Sequence, residues 1–469
     1  MDSIKKISFP KLRKGVKLKK FDEYVLIYNF KYAQHMLIHP SHALILSLCN
    51  GFYSTYEIAS IARETYHFSI EQSINFTNNV LKRYEPFIEI LCRSDSICIM
   101  QYNPLDFIYN IDEDVLLSGI TKPLSVPIGV NIILSYHCNF KCRYCYQNVA
   151  NNIKTKISLE KCKELIREAA SWGVAYFGLT GGEPTIYPGW ESLIEDILRY
   201  GMSPVITTNG SIIGTNELIA ERLSSAGLSE ITVSLDASNP HLHHHITRSR
   251  NSFSRVIQAI RYLVKVGIRV TVKYLLTPIN IDDLGNCIDF IVGLGVSEIG
   301  ITLMEPGATG SCANSLPRIT QNEYSNAVKI IKEKSSLYDD TCLIHPPKDP
   351  GYRWGDNDWY PCGGLYTGMT ISPSGIVSIC EKLSEVKQFS YGNVYAQSLK
   401  DIWNSSAFDE LRHRTADKSC IDSDCICCKN IYKCRTSCYV DSMAVNGNYF
   451  TKHPKCGGPF LEPDLKRNL

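Results

Sequence analysis

The sequence lacks three features, each of which would define a class of protein. No stretch comes near the roughly 18 uninterrupted apolar residues of a membrane-spanning helix. The basic segment KLRKGVKLKK near the N-terminus is not followed by the apolar core of a secretory signal. The charges nearly balance, with 49 Lys and Arg against 47 Asp and Glu, so the overall charge does not favour binding to nucleic acid or to a membrane surface. We therefore predict a cytoplasmic protein with no nucleic-acid partner and no membrane partner.

Cysteine, by contrast, is abundant, with 19 in 469 residues. A reducing compartment disfavours disulfide frameworks, so metal ligation explains regularly spaced cysteines better. We expect the isolated cysteines to be buried and inert: Cys49, Cys92, Cys98, Cys162 and Cys287.

The length suggests roughly three domains at about 150 residues each. We predict an N-terminal α+β domain at 1–95, a linker at 96–125, a large α/β domain at 126–340 and a cysteine-rich domain at 341–469. The first contains three extended segments and then three helices, with Ser41, Ser54 and Ser69 as N-caps. The last has little apolar periodicity, so we expect bound metal to stabilise it.

In the α/β domain a strand-like apolar run recurs six times, and a helical pattern follows each run. The runs are GVNIILSY, AYFGLT, SPVITT, EITVSLD, RVTVKYLL and EIGITLM. This alternation predicts a parallel sheet with right-handed crossovers, which we interpret as a partial (β/α)6 barrel.

Unusual polar motifs follow four of these strands. Cys138, Cys142 and Cys145 come after the first strand. They are followed by GGEP at 181–184, TTNG at 207–210, and the pair Ser234 and Asp236. Because the carboxyl ends of such strands converge on one mouth, the motifs predict a single site.

Three cysteines with no close fourth partner can hold a metal site that keeps one position open for another ligand. The pattern CxxxCxxC alone also suits zinc. Its place at the barrel mouth favours a four-iron cluster with one iron not bound by protein.

Together with Tyr144 and GGEP, this motif resembles the radical S-adenosylmethionine (radical SAM) enzymes, over about residues 126 to 310. The resemblance implies that S-adenosylmethionine (SAM) chelates the open iron and yields a 5'-deoxyadenosyl radical that abstracts hydrogen from a substrate. It also implies the SAM-binding residues Tyr144, Gly181, Gly182, Glu183, Asn209, Ser234, Asp236 and Arg248.

Plainer interpretations stay open for single motifs. GGEP could be a simple turn, Ser234 and Asp236 a helix cap, and Arg248 a solvated charge. The histidines of the HLHHH run at 241–245 are expected in a solvated loop, because no carboxylate or cysteine accompanies them at ligand spacing.

The C-terminal cysteines resemble the seven-cysteine SPASM domain, whose spacing they match. The resemblance implies two auxiliary four-iron clusters and hence three clusters in all. One would be bound by Cys425, Cys428, Cys434 and Cys456, and the other by Cys362, Cys380 and Cys438. Cys342 is the nearest upstream candidate for an eighth ligand, and Cys420 and Cys427 are spares. A zinc ribbon would leave the other five cysteines unexplained.

Residues 15–95 resemble the winged-helix recognition element of peptide-modifying systems, through the run HMLIHPSHALILSLCNGFYSTYEIASIA. That family implies that a leader peptide adds as a strand beside residues 34–39 and packs along the helix at 69–88. Winged helices also bind DNA, but ETYHFSIEQSINF contains no Lys or Arg.

These resemblances together imply a maturase that crosslinks a ribosomally made precursor peptide, with a thioether preferred and a carbon-carbon bond close behind. A flavodoxin or ferredoxin would donate electrons, and no catalytic base is assigned. Two alternatives remain: an anaerobic sulfatase-maturating enzyme that generates formylglycine, and a non-catalytic iron-sulfur scaffold that binds peptides.

Overall fold

A computed structural model of the chain separates two compact units, residues 1–120 and 121–469. It describes residues 8–13, 16–21, 24–29, 34–95, 99–109, 123–147, 155–305, 307, 312–347, 362–414, 421, 423–434, 436 and 438–458. Cys98 and Cys420 lie outside the described residues. None of the described helices is both long enough and apolar enough to cross a bilayer.

The first unit contains the three predicted extended segments as an antiparallel sheet of β2 (Val16–Phe21), β3 (Tyr24–Asn29) and β4 (Gln34–Ile38). Three helices follow: α1 (Pro40–Ser47), α2 (Thr55–Tyr66) and α3 (Ile70–Arg83). Two short strands that the sequence did not reveal, β1 (Phe9–Leu12) and β5 (Ile88–Leu91), pair from opposite ends of the unit.

Two of the three predicted helix caps are confirmed. Ser54 and Ser69 each form a capping box, in which the hydroxyl accepts from the third helical N–H and the side chain at that position bonds back to the cap. The prediction for Ser41 is wrong. His39 caps α1 by accepting from the Ser41 N–H at 3.1 Å, because Pro40 fixes the first helical residue two positions earlier than expected.

All six predicted parallel strands of the second unit are present and lie side by side in chain order. They are β6 (Gly129–Ile133), β7 (Tyr176–Thr180), β8 (Ser203–Thr208), β9 (Glu230–Ser234), β10 (Arg269–Leu276) and β11 (Glu298–Leu303). The α/β class is therefore confirmed.

The sheet extends beyond the predicted strands on both flanks. β12 (Leu343–His345) pairs parallel to β11, and β13 (Gly368–Ile371) pairs parallel to β6. β14 (Ile376–Ser378) and β15 (Gly392–Asn393) continue antiparallel from β13. In the described chain β12 and β15 are the two edges, so the partial barrel is an open sheet.

Helices separate the parallel strands and cover the sheet through apolar stripes. In chain order they are α4 (Leu159–Trp172), α5 (Trp190–Arg199), α6 (Glu217–Ser225), α7 (Pro240–Thr247), α8 (Ser252–Lys265), α9 (Leu284–Val292) and α10 (Gln321–Leu337). In α4, Cys162, Leu165, Ile166 and Ala169 lie on one face and are buried.

The isolated cysteines mostly behave as expected. Cys49, Cys162 and Cys287 are buried, whereas Cys92 is exposed, so the prediction for Cys92 is wrong. Cys92 directly follows the short strand β5.

The remaining described helices lie near the C-terminus: α11 (Leu399–Trp403), α12 (Ser406–Arg414), α13 (Ser423–Ile426), α14 (Ile431–Cys434) and α15 (Tyr439–Asn446).

Replacing the cap residue of α2 tests this local structure. We expect Ser54→Ala to lower the opening free energy of α2 by about 1 kcal/mol, because the hydroxyl that accepts from the Glu57 N–H is lost. Amide hydrogen exchange of the full chain measures this opening. Ser60→Ala, within the same helix, is the control and should change the value by less than about 0.5 kcal/mol. Equal losses in the two variants would contradict a specific role for the cap.

Candidate active site

The loop that carries Cys138, Cys142 and Cys145 rests on the end of α7. The Lys141 N–H donates to the Thr247 carbonyl at 3.0 Å, and the Arg143 N–H donates to the Ile246 carbonyl at 3.0 Å. The loop follows β6 and contains no helix or strand of its own. Contacts with other segments therefore hold its shape.

The HLHHH run belongs to α7, so the prediction of a solvated loop is wrong. Asn239 caps this helix and Pro240 begins it. His243 is only 3% exposed, and its Nε2 lies 2.9 Å from the Ser252 hydroxyl. The run thus belongs to the helix whose end supports the cysteine loop.

The cysteine thiols of the loop are close enough to interact. Burial raises the pKa of Cys138 to about 12, and the nearby Glu183 and Cys145 add to the shift. Burial also raises the pKa of Cys142, with contributions from Asp236, Cys138 and Cys145. In the described chain no group of His, Cys, Asp and Glu side chains has the geometry of a single-ion site. Binding of a metal cluster would have to displace the thiol protons.

Backbone geometry around the loop suits an iron-sulfur cluster. The Phe140 N–H points at the Cys138 sulfur, with the nitrogen 3.4 Å from the sulfur. Such N–H donors stabilise thiolate charge and are among the levers that set the potential of a cluster.

The two glycines of GGEP pack directly against the approach to the loop. The Gly182 N–H donates to the Ser135 carbonyl at 2.9 Å, and the Glu183 N–H donates to the His137 carbonyl at 2.9 Å. A Cβ on Gly181 would lie 2.4 Å from the Ser135 oxygen, and one on Gly182 would lie 2.2 Å from the His137 oxygen. The close approach that these glycines permit is therefore to the chain itself.

The Glu183 carboxylate ties the end of β7 to the end of β8. Its Oε1 accepts from the Thr185 N–H at 3.0 Å and from the Thr185 and Thr208 hydroxyls, each at 2.6 Å. Its Oε2 accepts from the Asn209 N–H at 2.7 Å. Burial nevertheless raises the pKa of this carboxyl. With Oε1 already saturated, Oε2 is the oxygen left to receive a donor from a ligand.

Asn209 also reaches the cysteine loop. Its Nδ2 donates to the Asn139 side-chain oxygen at 2.8 Å, and the Asn139 amide donates to the Ser211 hydroxyl at 2.7 Å. The TTNG motif therefore braces the loop from the third strand.

Asp236 is buried, and its carboxylate is used within the protein. One oxygen accepts from the Leu275 N–H at 2.6 Å, and the other accepts a short hydrogen bond from the Tyr144 hydroxyl. Burial raises the pKa of Asp236 to about 6. The structure thus connects two predicted SAM-binding residues to each other, so Asp236 orients Tyr144.

Ser234 belongs to a row of residues that crosses the open face of the sheet. The same row contains Lys273, which the sequence patterns did not single out. Lys273 of β10 is in register with Ser234 on one side and Gly300 on the other, and it is exposed in the middle of the sheet. A charge in the middle of the apolar run RVTVKYLL is the signal that could have revealed it. Arg248 caps α7 with φ +53° and is exposed, and no described contact joins its side chain to the site.

Thiols within each of the two predicted sets of C-terminal cysteines influence one another electrostatically. Burial raises the pKa of Cys362 to about 12, and the nearby Cys380 and Cys438 thiols add to the shift. Burial likewise raises the pKa of Cys434 to about 12, with Cys456 and Cys428 as neighbours.

Local backbone hydrogen bonds involve three cysteines of the second set. The Gly458 N–H points at the Cys456 sulfur at 3.4 Å, and the Cys428 N–H donates to the carbonyl of the buried Cys425 at 3.1 Å. The spare Cys427 is exposed.

Cys342, the candidate for the eighth ligand, is buried just before β12 at one edge of the sheet. Burial followed by the Glu298 charge raises its pKa to about 11. Its role as a ligand stays a prediction.

A methyl group on Gly182 tests the packing of GGEP against the loop. We expect Gly182→Ala to destabilise the loop by about 1–3 kcal/mol, because the new Cβ would meet backbone that cannot move aside. The measurements are iron bound per chain and the alkylation rate of Cys138 in metal-free protein. Gly285→Ala is the control, since its nearest contact would be an ordinary 3.5 Å. Unchanged iron and alkylation in Gly182→Ala would contradict this role.

Comparison with known proteins agrees with this site. The family model of the radical SAM superfamily matches residues 132–291, and that of the SPASM iron-sulfur cluster-binding domain matches residues 362–429. The first range contains the cysteine loop, GGEP and TTNG. The second contains Cys362, Cys380, Cys425 and Cys428.

Individual relatives extend the similarity over more of the chain. A probable GTP 3',8-cyclase of Sulfurisphaera tokodaii is 30% identical over 183 residues, which is 39% of this chain and 57% of that protein. Mycofactocin maturase MftC of Mycobacterium tuberculosis is 26% identical over 358 residues, which is 75% of this chain and 88% of that protein.

A similar fold is known from crystal structures of Streptococcus suis SuiB. The structure bound to precursor peptide SuiA has a TM-score of 0.62 at 17% identity and covers 96% of this chain and 100% of SuiB. The structure of SuiB bound to S-adenosylmethionine has a TM-score of 0.64 at 18% identity. The chain therefore contains a radical SAM domain, which carries the cysteine loop at its strand ends, and a SPASM domain.

Proposed function

We propose that this enzyme is a peptide maturase. Its N-terminal unit binds the leader of a ribosomally made precursor peptide, and its catalytic unit installs a crosslink in the core of that peptide. The preferred product is a thioether between a cysteine sulfur and a carbon, and a carbon-carbon crosslink is the close alternative.

The cysteine loop is the observation that carries the catalytic half of the proposal. Cys138, Cys142 and Cys145 would hold a four-iron cluster, with the Phe140 N–H bonded to one sulfur. Bound at the open iron, SAM would supply the radical that abstracts hydrogen from the substrate. The row of Ser234 and Lys273 lies on the exposed face of the same sheet and offers a hydroxyl and an ammonium group to a bound ligand.

The N-terminal unit has the features needed to bind an extended peptide. In the described part of this unit β4 pairs only with β3, so its outer side can add a strand. Met36 on β4 and Ile70 at the start of α3 are 41% and 54% exposed, and they offer apolar surface. The similarity to SuiB, which was crystallised with precursor peptide SuiA, and to the maturase MftC supports this assignment.

The C-terminal cysteines would hold two auxiliary four-iron clusters. Cys362, Cys380 and Cys438 would bind one, and Cys425, Cys428, Cys434 and Cys456 would bind the other. An open iron in the three-cysteine site could bind a substrate thiolate, which fits a thioether product. Electrons would come from a flavodoxin or ferredoxin.

The proposed reaction can be tested by co-expressing the full chain with a short cysteine-containing peptide encoded beside its gene. We expect anaerobic enzyme with SAM and reductant to form 5'-deoxyadenosine, and the peptide to lose the mass of two hydrogens. Cys142→Ala should abolish both results, whereas Cys162→Ala, a buried cysteine of α4 outside the motifs, should retain them.

Two other results would overturn the proposal. A mass change that corresponds to formylglycine would identify a sulfatase-maturating enzyme instead. If no 5'-deoxyadenosine forms with any peptide, the chain would be a non-catalytic iron-sulfur scaffold.

The auxiliary ligand assignment makes a separate prediction. Cys434→Ala should lower bound iron by up to about a third, because one of three equal four-iron clusters loses a ligand. Cys427→Ser should leave the iron content unchanged, since Cys427 is exposed and lies outside the proposed set. Equal iron in the two variants would contradict the assignment.

A further inference from the structure

Two tyrosines flank the cysteine loop, and both donate to one short segment of the C-terminal region. The Tyr136 hydroxyl donates to Glu385 Oε1 at 3.0 Å and lies 2.8 Å from the Ser384 hydroxyl. The Tyr146 hydroxyl, directly after Cys145, donates to Glu381 Oε2 at 2.5 Å. The loop is therefore attached at both ends to the segment Glu381–Glu385, which we call the strap.

The strap begins immediately after Cys380, a proposed ligand of the three-cysteine auxiliary site. Its first three residues form a turn of 3-10 helix in which the Leu383 N–H donates to the Cys380 carbonyl at 3.2 Å. Leu383 is 3% exposed, and the Ser384 hydroxyl donates to the Glu381 carbonyl at 2.9 Å. Because the strap is bonded internally and anchored in the core, it would transmit a displacement of Cys380.

A second donor strengthens the contact at Glu381. Gln147 is only 4% exposed, and its Nε2 donates to Glu381 Oε2 at 3.4 Å. The Lys382 Nζ lies 5.9 Å from the centre of the Tyr146 ring and 3.3 Å from Glu305 Oε2. The strap thus contacts the end of the loop through the Glu381 carboxylate, which accepts from Tyr146 and Gln147, and through the Lys382 cation. These contacts span more than 230 residues of sequence.

We propose that Tyr146 and Glu381 are positioning residues that couple the auxiliary site at Cys380 to the cysteine loop of the SAM-binding cluster. When the auxiliary site is filled, the strap is fixed, and the strap in turn holds Cys145 in place for its cluster. This coupling is reciprocal, because any free energy that links two sites acts in both directions. The inference rests on the proposed cluster sites but not on the peptide substrate.

The hydrogen bond from a phenol to a carboxylate is strong enough to matter here. Bonds to charged groups are roughly twice as strong as neutral ones, and a carboxylate that loses its donor inside the protein is costly. Removing the Tyr146 hydroxyl should therefore raise the opening frequency of the loop by roughly tenfold or more.

Hydrogen exchange of residues 136–147 in the anaerobically reconstituted full chain tests this directly. We expect Tyr146→Phe to exchange roughly tenfold faster or more while it still binds the same amount of iron. Glu381→Gln keeps an oxygen that accepts from Tyr146, so it should show a smaller change. Tyr200→Phe, an exposed tyrosine after α5, is the control and should show no change. Exchange in Tyr146→Phe equal to that of the parent would overturn the proposal.

A mutant cycle distinguishes coupling from local packing. Cys380→Ala should accelerate exchange of residues 136–147 in the parent, but not further in a chain that already carries Tyr136→Phe and Tyr146→Phe. The same acceleration in both backgrounds would show that the strap does not couple Cys380 to the cysteine loop. The electron paramagnetic resonance spectrum of the reduced SAM-binding cluster should change in Tyr146→Phe and stay unchanged in Tyr200→Phe.

These measurements need no peptide, so they are separate from the test of the proposed function. If crosslinking fails and the mutant cycle still shows coupling, the proposed function is wrong and the coupling through the strap is supported. If crosslinking succeeds and the mutant cycle is additive, the coupling is wrong and the proposed function is supported. Hydrogen exchange of Tyr146→Phe is also compared with that of Tyr200→Phe on metal-free protein. The comparison then holds even if one variant loses a cluster.

Discussion

The site depends on holding a loop that has no regular structure of its own. The segment from Cys138 to Cys145 contains neither helix nor strand, yet in the proposed function its three sulfurs bind one cluster. Hydrogen bonds from separate segments supply the missing order: the end of α7 supports Lys141 and Arg143, and Asn209 braces Asn139. Parallel strands make this possible, because their carboxyl ends bring distant segments to one edge.

The same requirement explains why several predicted ligand-binding residues also bond to the protein. Glu183 is saturated at one oxygen by Thr185 and Thr208, and Asp236 accepts from Tyr144 and Leu275. Burying a carboxylate is costly unless hydrogen bonds compensate for the lost water. These acids therefore stabilise the walls of the site, and they leave a limited number of lone pairs for a cosubstrate. The open sheet face with Ser234 and Lys273 supplies further polar groups.

The C-terminal region is bonded directly to the segments that carry the cysteine loop. β13 pairs parallel to β6, the strand that leads into the cysteine loop, and the strap after Cys380 bonds to tyrosines on both sides of that loop. A cysteine-rich segment with little apolar periodicity gains order in two ways: from the sheet it joins and, in the proposed function, from the clusters it binds. The proposed auxiliary ligands and the SAM-binding loop consequently share one scaffold.

The sequence alone determined the features that depend on local chemistry and periodicity. The six parallel strands followed from repeated apolar runs, and two helix caps followed from serines that precede helical patterns. The cysteine groups were implied by the resemblance to the SPASM domain and stay a prediction. The tertiary structure decided what depends on contacts between distant residues. It put the histidines of HLHHH on a supporting helix, added β12 and β13 to the sheet, and brought Glu381 to Tyr146. No short-range pattern encodes these pairings. The two partners form their hydrogen bonds, or become buried, only after the strands between them in the sequence have assembled.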